Sequence, residues 1–459
     1  MTVALCLAAA LGVTVTLPAR AAQASAAGTP TPYAFDRDAR RVEGAAGTTD
    51  AVRLDPGRTY RSGLPVAGKR YYRLELDATT NAYVSATAVP RPGAAVSSSD
   101  GLKISLQDAH GTTCSSGTAY FGPTQSPHPI AALASRETGP GTFVCKGAGA
   151  YYVVVERRDL SASAPGDWDL ELDYASEPAL RQTGATTPPG AWNSATPEAV
   201  LGDARRRAGG AGFAAASALG QGVWQDAIKP GQTLFYKVPV DWGQQLSATV
   251  EMGSSTGGDG YVGTALAMSL YNPVRAYVDD ADAGYSGAQT SAALEPLPPV
   301  DYANRHAVGN RVSGMRFAGW YYLAVHLGAP VAVRFGNGPF GLTLRVRVNG
   351  TPKSGPAYAG RSAPRGVFEV TAADREVAAA AGTEGNGTGG GSAGPRVTAS
   401  GSGSGSPDSA DIGKGGGGGD TRTMQLVAAG GIGTGSVLVL GLGVWTLAAR
   451  RRARGRWAG

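Results

Sequence analysis

The chain has 459 residues, 17% of them charged, with 69 Gly, 29 Pro, 3 Cys and 4 His. It is too rich in Gly and Pro for one helical domain, lacks the Gly-x-y period of collagen, and has too few Cys for a disulfide-dense miniprotein or a Cys-rich zinc protein. The net charge of +6 belongs to the tail: the last 36 residues hold five Arg and no acid, and the remainder balances 36 basic against 35 acidic residues, so no basic patch of the kind nucleic acid needs is implied.

With 7 Lys against 34 Arg and abundant Ala and Gly, residue usage is that of a GC-rich, actinobacterial-type genome. Residues 3–17 form a short apolar run, followed by the small-residue site Ala22-Gln23-Ala24. This is the pattern of a secretory signal peptide over 1–24, although no Lys or Arg precedes the run.

Four blocks then recur in the same order. Asp38-Ala39-Arg40-Arg41 returns as Asp203-Ala204-Arg205-Arg206. The block from Gly68 to Leu76 returns from Gly231 to Val240, Leu102–Asp108 returns as Leu266–Asn272, and Gly149–Glu156 returns as Gly319–His326. Four collinear matches argue for two copies of one domain. Within them Tyr72, Leu74 and Leu76 alternate with Arg73 and Glu75. Leu102, Ile104 and Leu106 alternate with polar residues, as do Trp168, Leu170, Leu172 and Tyr174, and Leu342, Leu344, Val346 and Val348. Period 2 predicts strands with one packed and one wet face, and the Gly, Pro, Asn and Asp turns between them predict antiparallel sandwiches.

The fold class read from this is all-β. Two tandem jelly-roll-like antiparallel β-sandwiches are expected over 30–175 and 218–350, with separate cores and a 176–217 linker marked by Pro188-Pro189-Gly190. An extension covers 351–380. Residues 381–423 hold 16 Gly and no aromatic residue, too little apolar surface to offset ordering entropy, and are read as a disordered linker. Residues 426–449 carry no charge and as a helix would reach ~36 Å, enough to span a bilayer. Arg450, Arg451 and Arg452 follow. By the positive-inside rule the 450–459 tail is cytoplasmic and the protein is a single-pass type I plasma-membrane protein, its N-terminal side outside.

The two repeats, with a Tyr-bearing strand after a Gly turn, the block Leu270-Tyr271-Asn272-Pro273 and the strand Gly319-Trp320-Tyr321-Tyr322-Leu323-Ala324-Val325, resemble the bacterial pre-peptidase C-terminal domain family over roughly 60–175 and 225–348. The resemblance implies an accessory β-sandwich module without catalytic residues. The chain departs from the family's usual setting, since no enzyme domain is attached.

Cys114 and Cys145 are the two Cys of the expected ectodomain, and outside the cell they should pair. Asp279-Asp280-Ala281-Asp282-Ala283-Gly284 is similar to the start of a calcium loop, but the twelfth position from Asp280 is Ser291, so a solvated acidic turn is favoured over a Ca²⁺ site. His326 occupies the repeat position of Glu156 and is expected to face solvent. The pairs Tyr71-Tyr72, Tyr151-Tyr152 and Tyr321-Tyr322 should place one ring on each sheet face, the outer ones available to stack on sugars. Apparent hits to a nucleotide fingerprint (Gly385, Gly387, Gly390) and a nucleophile elbow at Ser392 lie in the Gly-rich stretch without the flanking strand and helix, and a second elbow-like hit at Ser255 runs into a turn. No catalytic residue, metal or cofactor is therefore expected. The expected function is a non-catalytic cell-surface binding or scaffold protein, with an unknown extracellular protein or cell-wall carbohydrate as partner and no nucleic acid. The alternatives are an accessory subunit of a membrane-bound secretion or protease complex and, less favoured, a secreted hydrolase.

Overall fold

A computed structural model describes residues 31–139, 141–158, 166–198 and 200–380. The expected signal peptide, the Gly-rich stretch, the 426–449 segment and Arg450–Arg452 lie outside the described residues. No helix among the described residues is long and apolar enough to cross a membrane.

The described chain is mostly β-sheet, arranged in four five-stranded sheets. In the first copy, one sheet runs in neighbour order Arg40–Arg41, Arg58–Leu64, Trp168–Glu177, Asn81–Val89, Ile130–Arg136. Its mate runs Val52–Arg53, Lys69–Leu76, Gly149–Arg158, Gly101–Asp108, Thr113–Tyr120. The second copy repeats both orders. One sheet is Ala204–Arg206, Gly222–Ile228, Phe340–Asn349, Gln245–Met252, Thr290–Ala293. The other is Ser217–Ala218, Thr233–Val240, Gly319–Leu327, Val262–Tyr271, Tyr277–Tyr285. The short first strand of every sheet pairs parallel to its neighbour, and the remaining pairs are antiparallel.

The alternating residues form the cores. Tyr72, Leu74, Leu102, Ile104, Leu106, Leu170 and Leu172 close one apolar cluster, and Tyr236, Val238, Leu266, Met268, Leu270, Leu342 and Leu344 close another. Each such side chain contributes roughly 1.5–3 kcal/mol by burial before entropy is subtracted. The duplication extends to side-chain contacts. The hydroxyl of Tyr72 donates to Ser62 Oγ at 2.9 Å, and that of its counterpart Tyr236 to Asp226 Oδ2 at 2.7 Å. A Cβ on Gly44 or Gly209 would meet these tyrosines within 3 Å, so both positions need glycine for close approach. Tyr151 and Tyr321 each donate to a carbonyl four residues upstream, Gly147 at 2.7 Å and Phe317 at 2.8 Å.

One of the two outer faces that period 2 assigns to solvent in the second copy is largely covered. The sheet face bearing Phe235, Tyr322, Ala324 and His326 is covered by the first copy's Ala131, by Phe213 and by Tyr33 of the N-terminal segment. Beside it Tyr83 packs edge-on against Phe317, and Phe368 stacks on Phe317 with centroids 4.6 Å apart. Charges cross the same junction. Buried Glu171 accepts from Arg275 at 2.5 Å and from the Tyr33 hydroxyl at 3.1 Å. Buried Glu177 accepts from Arg305 at 2.9 Å, from Tyr83 and Asn81 at 2.8 Å and from Tyr358 at 2.8 Å. Arg316 reaches Glu137 at 2.7 Å. Carboxylates with this many donors are buried without an orphaned lone pair.

The connection between copies is shorter than 176–217. Ser176 and Glu177 end the last strand of the first copy, while Ala204–Arg206 and Ser217–Ala218 are strands of the second. The 351–380 extension returns as a strap. Its Ala363 pairs with Ser176, and its short helix Ala372–Ala380 ties to the second copy through Trp320 to Asp374 at 3.0 Å and Arg375 to Asp241 at 2.5 Å.

Candidate binding groove at the junction of the two sandwiches

Where the docked faces diverge they leave an open groove of about 680 Å³. Its floor is the outer face of Val262–Tyr271 and Tyr277–Tyr285. Leu266, Met268 and Leu270 point into the core, so Ala267 and Ser269 point out, paired with Asp282 and Asp280. Its wall is the first copy's edge strand Thr113–Tyr120 and the turn Gly122–Thr124. The wall residues Ser116, Gly117, Thr118 and Ala119 are all small. Gly117 is required there, because a Cβ would lie 2.3 Å from the Leu133 carbonyl oxygen of the neighbouring sheet.

Two exposed aromatics mark the lips: Tyr120 is 49% exposed and Tyr277 38%. The Tyr277 hydroxyl donates to Asp280. Burial and this bond push the Tyr277 pKa up, so it stays protonated and donating. The lining contains Asp280 and Asp282 and no Lys or Arg. The groove lining also includes His128, which is tied by Nδ1 to the Ser126 carbonyl at 2.7 Å and stacks on His326.

Several expectations change here. His326 does not face solvent. It is 3% exposed because the first copy docks on its face, and its Nδ1 reaches the Gln232 carbonyl at 3.0 Å. The acidic run is not a solvated turn: it lies in strand Tyr277–Tyr285. Strand alternation puts buried Asp279 on one face, where Arg311 meets it at 3.2 Å, and exposed Asp280 and Asp282 on the other. Burial raises the Asp279 pKa. The three carboxylates do not converge, and no metal-ligand cluster of three or more groups occurs among the described residues. The outer tyrosines Tyr71, Tyr152 and Tyr322 are all half-buried; Tyr71 and Tyr152 lie on the open sheet of the first copy, and Tyr322 packs edge-on against Phe213 with ring centroids 5.3 Å apart.

Cys114 and Cys145 form a disulfide, with Cα atoms 5.6 Å apart. It staples the start of the wall strand to the loop before Gly149–Arg158. Sequence reasoning singled out neither Tyr120 nor Tyr277. They come together only because the copies dock, and no local spacing signals that.

No family model matches the chain, and no curated protein matches it in sequence. Among solved structures, the human MASP-1/3 CUB1-EGF-CUB2 domain aligns with 7% identity and a TM-score of 0.15, over 63% of this chain and 99% of that one. The CBM22-1-CBM22-2 tandem of Paenibacillus barcinonensis Xyn10C aligns with 9% identity and a TM-score of 0.18, over 66% of this chain and 95% of that one. A plant RALF23 complex with FER and LLG2 gives 9% identity and a TM-score of 0.19, over 63% of this chain and 86% of that one. These values place the chain in no family.

Proposed function

We propose that the protein is a non-catalytic cell-surface binding or scaffold protein. In this reading residues 426–449 anchor it in the plasma membrane, Arg450–Arg452 stay inside, and two jelly-roll-like sandwiches of pre-peptidase C-terminal type stand outside as one rigid body. The observation that carries the reading is the junction. Glu171–Arg275 and Glu177–Arg305 are buried ion pairs across it, and together with the N-terminal segment and the C-terminal strap they hold the two modules in one fixed relation, as a display scaffold requires. The disulfide supports an extracytoplasmic location.

Two measurements on the same cells test this. Protease added to intact, wall-stripped cells should remove the ectodomain and leave a fragment containing Met424–Gly459. The full chain, purified in mild detergent, should co-sediment with isolated cell envelopes. A protected ectodomain overturns the topology, and a chain that stays in the supernatant overturns the binding role.

A further inference from the structure

We infer that the groove at the sandwich junction binds an uncharged polysaccharide strand, with Tyr120 and Tyr277 stacking on sugar rings and Asp282 accepting hydrogen bonds from sugar hydroxyls. This rests on the binding role proposed above and assigns it a site and a ligand class.

Three observations converge. The first is shape. A groove of about 680 Å³ falls within the ~300–1,000 Å³ of ligand sites. Its floor and wall are built from Ala267, Ser269, Ala276, Gly117 and Ala119, so a flat, stiff chain can lie close to the backbone on both sides.

The second is the pair of lip tyrosines. Large aromatics left 49% and 38% exposed, one from each copy, present an apolar ring face with a polar tip, the combination that suits a sugar's C–H face and its hydroxyl rim. Asp280 holds the Tyr277 hydroxyl and so fixes that ring at the lip.

The third is charge. The lining has two carboxylates and no Lys or Arg, and neither Asp280 nor Asp282 forms an ion pair among the described residues. Phosphate, uronate and nucleic acid are repelled by such a surface. A neutral polyol is not, because an ionised carboxylate accepts from several hydroxyls at once and such charge-assisted bonds are the stronger kind. A peptide added as an extra strand along the wall fits less well. Ser135 N donates to Ser115 Oγ at 2.6 Å and Gly117 abuts Leu133, so the neighbouring sheet already closes that edge.

The test uses the full chain in mild detergent. It is incubated with washed particles of cellulose, β-1,3-glucan, mannan, starch and chitin, with polygalacturonate as the anionic control, and the bound fraction is titrated. At least one uncharged polysaccharide should retain it and polygalacturonate should not. Tyr120→Ala combined with Tyr277→Ala should weaken retention about 10-fold or more, given the usual worth of two aromatic contacts, and Asp282→Asn should weaken it less. Phe143→Ala, which removes an aromatic side chain that is 89% exposed and outside the groove lining, should change nothing. Equal melting midpoints show that the variants are folded. Retention by none of the uncharged polysaccharides, or retention unchanged in the double tyrosine variant, overturns the inference. If the double variant also co-sediments with envelopes like the wild type, the binding role stands and the groove assignment alone falls.

Discussion

The imidazoles of His128 and His326 stack across the sandwich junction with centroids 4.4 Å apart and planes 26° from parallel. Each comes from a different copy, and His326 Nε2 is buried without a hydrogen-bond partner. Burial lowers the His128 pKa from its ordinary 6.5 to about 4. Burial, and then the neighbouring His128, hold His326 well below its ordinary value. Both rings are therefore neutral in the folded protein.

Acid should loosen this junction. Between pH 6.5 and about 4 the unfolded chain binds protons on these two histidines and the folded chain does not. Stability therefore falls as pH falls through that window, by up to about 1.4 kcal/mol per pH unit for each ring. Above pH 6.5 the pair contributes no slope. Melting midpoints of the wild type and of His128→Phe, recorded from pH 8 to pH 4, should diverge only below about 6.5, with the variant flatter. Parallel curves would contradict the assignment.

Breaking the Glu171–Arg275 pair should be far costlier than breaking a surface pair. Burial opposes the Arg275 charge, but Asp173 and Glu171 outweigh it and raise its pKa. Arg275→Met leaves Glu171 buried and uncompensated, so a loss of about 3–5 kcal/mol is expected in denaturant unfolding. Arg40→Ala removes a pair with Asp55 whose side chains are 52% and 48% exposed, so its effect should stay below about 1 kcal/mol. Equal losses would show that the junction pair is not desolvated.

Replacing Cys114 and Cys145 by Ala should cost about 3–4 kcal/mol, the chain-entropy value for a loop of this size, across a sequence separation of 31. Because buried ion pairs and the 351–380 strap join the two copies, the loss should appear as one calorimetric transition shifted downward. A shifted first-copy peak beside an unshifted second one would show that the copies unfold independently.

The sequence by itself determined the sheets. Tyr72-Arg73-Leu74-Glu75-Leu76 and Leu342-Thr343-Leu344-Arg345-Val346 each carry their own alternation, and that local pattern fixes a strand and its core face wherever the strand ends up. The repeated blocks determined that the architecture occurs twice, and Cys114 and Cys145 determined the staple. What the alternation leaves open is the neighbour on the other side. Glu171, His326 and Tyr322 all occupy positions that read as solvent-facing, because a period of 2 says only that a side chain leaves its own core. Docking of the copies buried Glu171 and His326 and left Tyr322 half-buried, brought Arg275 to Glu171 and His128 to His326, and put Tyr120 and Tyr277 on the lining of one groove. The tertiary structure alone decided these partners, since a face that cannot pack within its own sandwich can still pack against another, and the residues that do so are distant in sequence and share no spacing.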